Sequence, residues 1–146
     1  MRTFADALSS EGGGRRALEL ARVLLVHGQL APRLALQTIL QAGGYAVDVA
    51  ATPAEAISKL DEGQYELVLS DAELGSGSNV LAYARVKEYR PATALVTSSE
   101  PDRRNYGRGR HQVAIYTENL PHLLAEVAEL IGVRAIRRYR PLRQAV

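Results

Sequence analysis

Asp71 closes the apolar stretch Glu66-Leu67-Val68-Leu69-Ser70. A stretch of that kind reads as a strand buried on both faces. In a parallel α/β domain, ligands bind in the crevice at the carboxyl ends of the strands, so an aspartate at that place is positioned for chemistry. The run Val23-Leu24-Leu25-Val26 delivers His27 and Gly28 to the same edge, and Ala94-Leu95-Val96 delivers Thr97 and Ser98. An imidazole and a glycine do not hold a hard cation as two carboxylates would. Thr97 and Ser98 carry hydroxyls, but no histidine and acid partner pattern accompanies them to make a nucleophile.

These residues need a scaffold, and the chain punctuates one. Five β-type runs, Val23 to Val26, Tyr45 to Ala50, Leu67 to Ser70, Ala94 to Thr97 and Val113 to Tyr116, alternate with helical patterns. Strands separated by helices predict a parallel sheet. Leu36, Ile39, Leu40 and Gly43 give one buried helical face, which Gly43-Gly44 closes. Thr52-Pro53-Ala54-Glu55 is a capping box with proline at the first helical position, predicting a helix from Pro53 to Leu60, stopped by Asp61-Glu62-Gly63. A third helix is expected from Ser78 or Asn79 to Arg90, before Pro91, with Leu81, Ala84 and Val86 inward. The last is expected over Pro121 to Ile131. Between Ser98 and Gln112 there is almost no apolar stripe, and Gly107 and Gly109 predict a short or frayed fourth helix.

Composition narrows the function. At 146 residues with 47% hydrophobic content and 23% charge, the chain reads as a single soluble domain. No apolar run approaches the roughly 18 residues of a membrane span, and the first residues lack the apolar core of a signal peptide, so a cytoplasmic protein is expected. With no cysteine and three scattered histidines, a protein-built metal centre is not expected. Gly75-Ser76-Gly77-Ser78-Asn79 follows a strand but lacks the lysine and spacing of a phosphate cradle, and reads as a turn.

The net charge of +2 conceals an uneven distribution. Residues 102–146 carry nine arginines against four acids, whereas residues 44–101 carry nine acids against four bases. A basic end fits an acidic protein partner, nucleic acid or a solvated tail equally. Tyr106 and Tyr139 among the arginines could stack on bases, but no recognised nucleic-acid module surrounds them.

From about Arg22 to Gly132 the chain resembles the receiver domain of two-component response regulators. The resemblance is carried by Val23-Leu24-Leu25-Val26, Ala42-Gly43-Gly44-Tyr45, Leu67-Val68-Leu69-Ser70-Asp71 and Ala94-Leu95-Val96-Thr97-Ser98, with Tyr116 where the family often has a switch aromatic. It implies a flavodoxin-like (βα)5 three-layer sandwich whose five-stranded parallel sheet has the order 2-1-3-4-5. Gly12-Gly13-Gly14 is costly to order, so a flexible leader is expected over 1–20, followed by the receiver-like domain over 21–132 and a basic tail or linker stub over 133–146.

In that family a phosphoryl group passes to the aspartate, here Asp71, with Mg²⁺ held by acids after the first strand and a lysine after the fifth strand pairing with the phosphoryl oxygens. The acids are replaced by His27 and Gly28, and the lysine by Asn119 if spacing from Thr97 decides or by Glu118 if the strand pattern decides. Glu73 could add an oxygen, although the resemblance implies mainly a backbone carbonyl there. The residue set disfavours Mg²⁺, so no cofactor is expected, and it points to a pocket whose phosphoryl chemistry has been lost. His27, if protonated, would pair with Asp71 and replace the missing positive charge.

The expectation is a non-enzymatic, atypical receiver acting as a protein-interaction module in phosphorelay-type signalling. Its partner would be an acidic protein, or a second copy meeting it through the face of the fourth helix, fifth strand and last helix. The alternatives are a phosphorylatable receiver using Asp71 and a nucleic-acid-associated module using the basic C-terminal region.

Overall fold

The computed structural model describes residues 20–73, 77–97 and 114–144, including the side chains of all but 77, 78 and 137–144. Five strands are present: β1 (Arg22–Val26), β2 (Ala46–Ala50), β3 (Leu67–Asp71), β4 (Ala92–Thr97) and β5 (Ala114–Tyr116). Between and after them run helices α1 (Leu30–Ala42), α2 (Pro53–Glu62), α3 (Gly77–Arg85) and α4 (Leu120–Gln144). All strand pairs are parallel and the sheet order is β2-β1-β3-β4-β5, as expected. The leader up to residue 19, the loop at 74–76 and the proposed fourth helix lie outside the described residues, as do Ser98 and Arg103 to Arg110.

Alternation within the strands builds two cores. Val23, Leu25, Leu67 and Leu69 face α1 and α4, where Leu36, Leu40, Leu123 and Val127 close the layer. Leu24, Val26 and Val68 face the other way, onto Leu60 of α2 and Leu81 and Ala84 of α3. A strand covered on both sides must be apolar throughout, which is why β1 and β3 read as unbroken hydrophobic runs. Among the described residues no helix is long and apolar enough to cross a membrane.

The caps explain the helix boundaries. At the end of α1 the Gly44 N–H donates to Gln41 O at 3.0 Å and the Tyr45 N–H to Leu40 O at 3.2 Å. That bond pair is a Schellman motif, and Gly44 supplies the left-handed backbone it requires, with φ +103°. At the start of α2 the Glu55 N–H donates to Thr52 Oγ1 at 3.1 Å, while Glu55 Oε1 accepts from the Ala51 N–H at 2.8 Å. The helix runs two residues beyond the expected Leu60, to Glu62, and stops at Gly63.

Two helix ends differ from expectation. α3 stops at Arg85, not Arg90, and Val86 is 79% exposed rather than inward. Tertiary bonds take over: Arg85 Nε donates to Thr93 Oγ1 at 3.1 Å, and Lys87 and the Tyr83 hydroxyl both bind Asp61 of α2. Arg90, just before Pro91, does leave the right-handed region, at φ +45°, but only after the helix has ended. α4 does not end at Ile131 and continues to Gln144. One turn past Gly132, Arg134 reaches back to the turn before β4, its Nε on Arg90 O at 2.9 Å and its Nη2 on Tyr89 O at 2.6 Å. That anchor outweighs the propensity cost of one glycine, about 1 kcal/mol.

Candidate functional site

Register sets the site. Asp71 pairs with Val96 and Thr97 with Tyr116, so the carboxyl ends of β3, β4 and β5 finish at one edge, beside the His27 that follows β1. The His27 N–H donates to Ala50 O at 3.0 Å, holding the residue against the end of β2. His27 and Asp71 are each only 8% exposed, and Thr97 is 3% exposed.

Asp71 forms an Asx turn: its Oδ1 accepts the Glu73 N–H at 3.0 Å. Its Oδ2 stands 3.7 Å from His27 Nδ1. The expected neighbourhood of the two residues is therefore present, but 3.7 Å is too long for a hydrogen bond. The ring nitrogen is also engaged elsewhere, since His27 Nδ1 accepts from the Gln29 N–H at 3.2 Å. A nitrogen that accepts there has no proton to give Asp71, so the Gln29 bond and an Asp71 ion pair compete for one atom.

A cavity of about 360 Å³ opens beside this pair. His27, Asp71, Glu73, Thr97 and Glu118 all line it. Gly28, Tyr116 and Asn119 are not among its lining residues. Gly28 is exposed, and Tyr116 is half-buried at the end of β5. Of the two residues left open after β5, one lines the cavity and the other caps a helix. Asn119 Oδ1 accepts from the His122 N–H at 3.2 Å at the start of α4, which leaves Glu118 at the cavity.

Several contributors were not visible in the sequence. Arg33, one turn into α1, donates from Nη1 to the His27 carbonyl at 3.0 Å. Thr117 ties the ends of β4 and β5, its N–H and Oγ1 both donating to Thr97 O, at 2.9 and 3.1 Å. Ala31, Pro32 and Ala35 of α1 form the cavity's outer wall with Leu36 and Ile39. Their i, i+4 spacing was the available signal, although small residues seldom count toward an apolar stripe.

The donor set does not fit Mg²⁺. That ion takes hard oxygen ligands in near-octahedral geometry, and an imidazole nitrogen stands 3.7 Å from Asp71 Oδ2. Among the described residues no group of three or more His, Asp or Glu side chains converges as a metal site.

No protein-family model and no curated protein sequence matches the chain. Solved structures do. The response regulator TrrA of Thermotoga maritima, solved with Mg²⁺ and BeF, is 27% identical over 76% of this chain and 99% of its own, with a TM-score of 0.65. A CheY-like receiver domain protein of Methanospirillum hungatei is 22% identical over 82% of this chain and 99% of its own, at a TM-score of 0.69. The signal receiver domain of an HD domain-containing protein from Pseudomonas fluorescens reaches a TM-score of 0.71 at 22% identity, over 84% and 94%. With its strand order, its two-sided helix layers and Asp71 at the end of β3, the chain has the CheY-like fold of response-regulator receiver domains.

Proposed function

We propose that this chain is an atypical response-regulator receiver that acts in two-component-type signalling through protein contacts, without standard Mg²⁺-dependent phosphorylation of Asp71. One observation carries the reading: the ionisable side chains that share the cavity with Asp71 are His27, Glu73 and Glu118, with no lysine or arginine among its described lining. A phosphoryl group brings further negative charge, and at such distances two carboxylates repel it where a cation would neutralise it. The aspartate keeps its place, but the chemistry around it favours a different use.

A rival reading has one observation in its favour. Glu73 lines the same cavity and its amide already binds Asp71 Oδ1, so a weak site built from Asp71, Glu73 and water would serve a working receiver. The experiment that separates the two is incubation with Mg²⁺ and either beryllofluoride or a small phosphodonor, followed by intact mass and amide NMR, with Asp71→Asn as control. No adduct and no shift in either protein is expected. A response confined to the wild type overturns the proposal.

The partner is proposed to be an acidic protein surface or a second copy of the chain, and the compartment the cytoplasm. The basic balance of residues 102–146 supports an acidic partner.

A further inference from the structure

The cavity beside Asp71 has the volume of a small-molecule site, and its walls differ in kind. One wall is apolar, formed by Ala31, Pro32, Ala35, Leu36 and Ile39 of α1. Asp71, Glu73 and Glu118 also line the cavity and bring three carboxylates to it. Small side chains at 31, 32 and 35 leave room that leucines at the same positions would fill.

The Asp71 side chain is 11% exposed, and among the described residues only one of its oxygens has a hydrogen-bond donor. Oδ1 accepts from the Glu73 N–H, whereas Oδ2 receives no hydrogen bond from any described residue. His27 Nδ1, 3.7 Å away, is itself an acceptor for the Gln29 N–H. Among the described residues Oδ2 therefore keeps an acceptor position open to the cavity, and a charged donor makes the strongest bond to such an oxygen.

We propose that this cavity binds a small organic cation, a primary ammonium with a compact apolar body. The ammonium donates to Asp71 Oδ2, Glu118 adds a second attractive charge, and the hydrocarbon lies against α1. A metal ion would leave the α1 wall unused, an anion would meet three carboxylates, and a neutral apolar ligand would leave Asp71 Oδ2 without a donor. The inference rests on the reading above in one respect, that the cavity is not taken up by phosphoryl chemistry; ligand occupancy would then replace phosphorylation as the input.

The test uses the full chain, ¹⁵N-labelled, titrated with 2-phenylethylamine and separately with its neutral analogue 2-phenylethanol. Saturable shifts at the amides of Ala35, Val96 and Thr117 are expected, with the amine about tenfold tighter than the alcohol, a difference of about 1.4 kcal/mol. Asp71→Asn should bring the amine down to the affinity of the alcohol. Glu118→Gln, at an exposed position that does not threaten folding, should weaken the amine alone. Ala35→Leu should exclude both compounds. Scattered or absent shifts, equal affinity for amine and alcohol, or full amine affinity in both charge variants overturns the proposal. A Mg²⁺ and beryllofluoride response with amine binding intact would instead overturn only the phosphorylation-independent reading.

Discussion

The two ends of the sheet treat their charges in opposite ways. Toward the amino ends, Arg22 donates to Asp48 Oδ2 at 2.9 Å, lies over the Tyr65 ring at 4.8 Å from its centroid, and gives its amide to Glu66. The Tyr65 hydroxyl adds a second bond to Asp48 Oδ2 at 2.7 Å. Gly63 completes this cluster, since a Cβ there would come within 3.3 Å of the Arg22 guanidinium. At the carboxyl ends, by contrast, His27 and Asp71 face each other beyond bonding distance with a cavity beside them. The first end pairs its charges, whereas the second leaves Asp71 with one accepted hydrogen bond among the described residues.

Three changes would sharpen or break that contrast. The largest effect is expected at Tyr65, which is 3% exposed. Tyr65→Ala should cost about 3 kcal/mol in urea unfolding with an unchanged m value, through lost packing, the stacked guanidinium and the Asp48 bond. A cost below about 1 kcal/mol would show that the amino end is not the anchored one.

The second is a pH effect at Asp48. Burial opposes its ionisation, but hydrogen bonds from Tyr65 and Arg22 outweigh that and hold the carboxyl below its ordinary value of 3.8. A carboxylate lowered in the folded state adds stability above its unfolded value and loses it as pH falls through the folded one. Asp48→Asn should therefore flatten the acid limb of the stability curve below about pH 4 and weaken the protein at neutral pH. Asp61, lowered by hydrogen bonds from Lys87 and Tyr83, remains in both proteins, so the difference between the two curves isolates Asp48. Identical curves would remove the cluster's claim to stabilise the fold.

The smallest effect is expected at the other end. Asp71→Asn keeps the acceptor of the Asx turn and removes a poorly paired charge, so stability should stay the same or rise by up to about 1 kcal/mol. A loss larger than about 1 kcal/mol would mean that Asp71 is held as firmly as Asp48, and the two ends would no longer differ.

How much of this was legible depended on the range of the interactions. The strands were readable because burial on both faces forces continuous apolar runs such as Val23 to Val26, and their order followed once the receiver likeness was seen. Asp71 and His27 were readable because strand ends converge in a parallel sheet. Arg33 and Thr117 were not, since each acts through a backbone carbonyl, of His27 and Thr97, that carries no residue-type signal. The ends of α3 and α4 were misplaced because local stop signals at Pro91 and Gly132 were overridden by contacts from Asp61, Thr93 and Arg134 across the fold. Asn119 and Glu118 could be told apart only when the cap on His122 was in view.

The grip of Arg134 on Tyr89 and Arg90 also has a mechanical meaning. Peeling the final three turns of α4 from the body would strip two carbonyls of their donors and release a residue locked in an unusual backbone geometry just ahead of β4. That strand finishes at Thr97. A pull on α4 at Arg134 would therefore load the turn just ahead of β4 first, as a handle loads its lever.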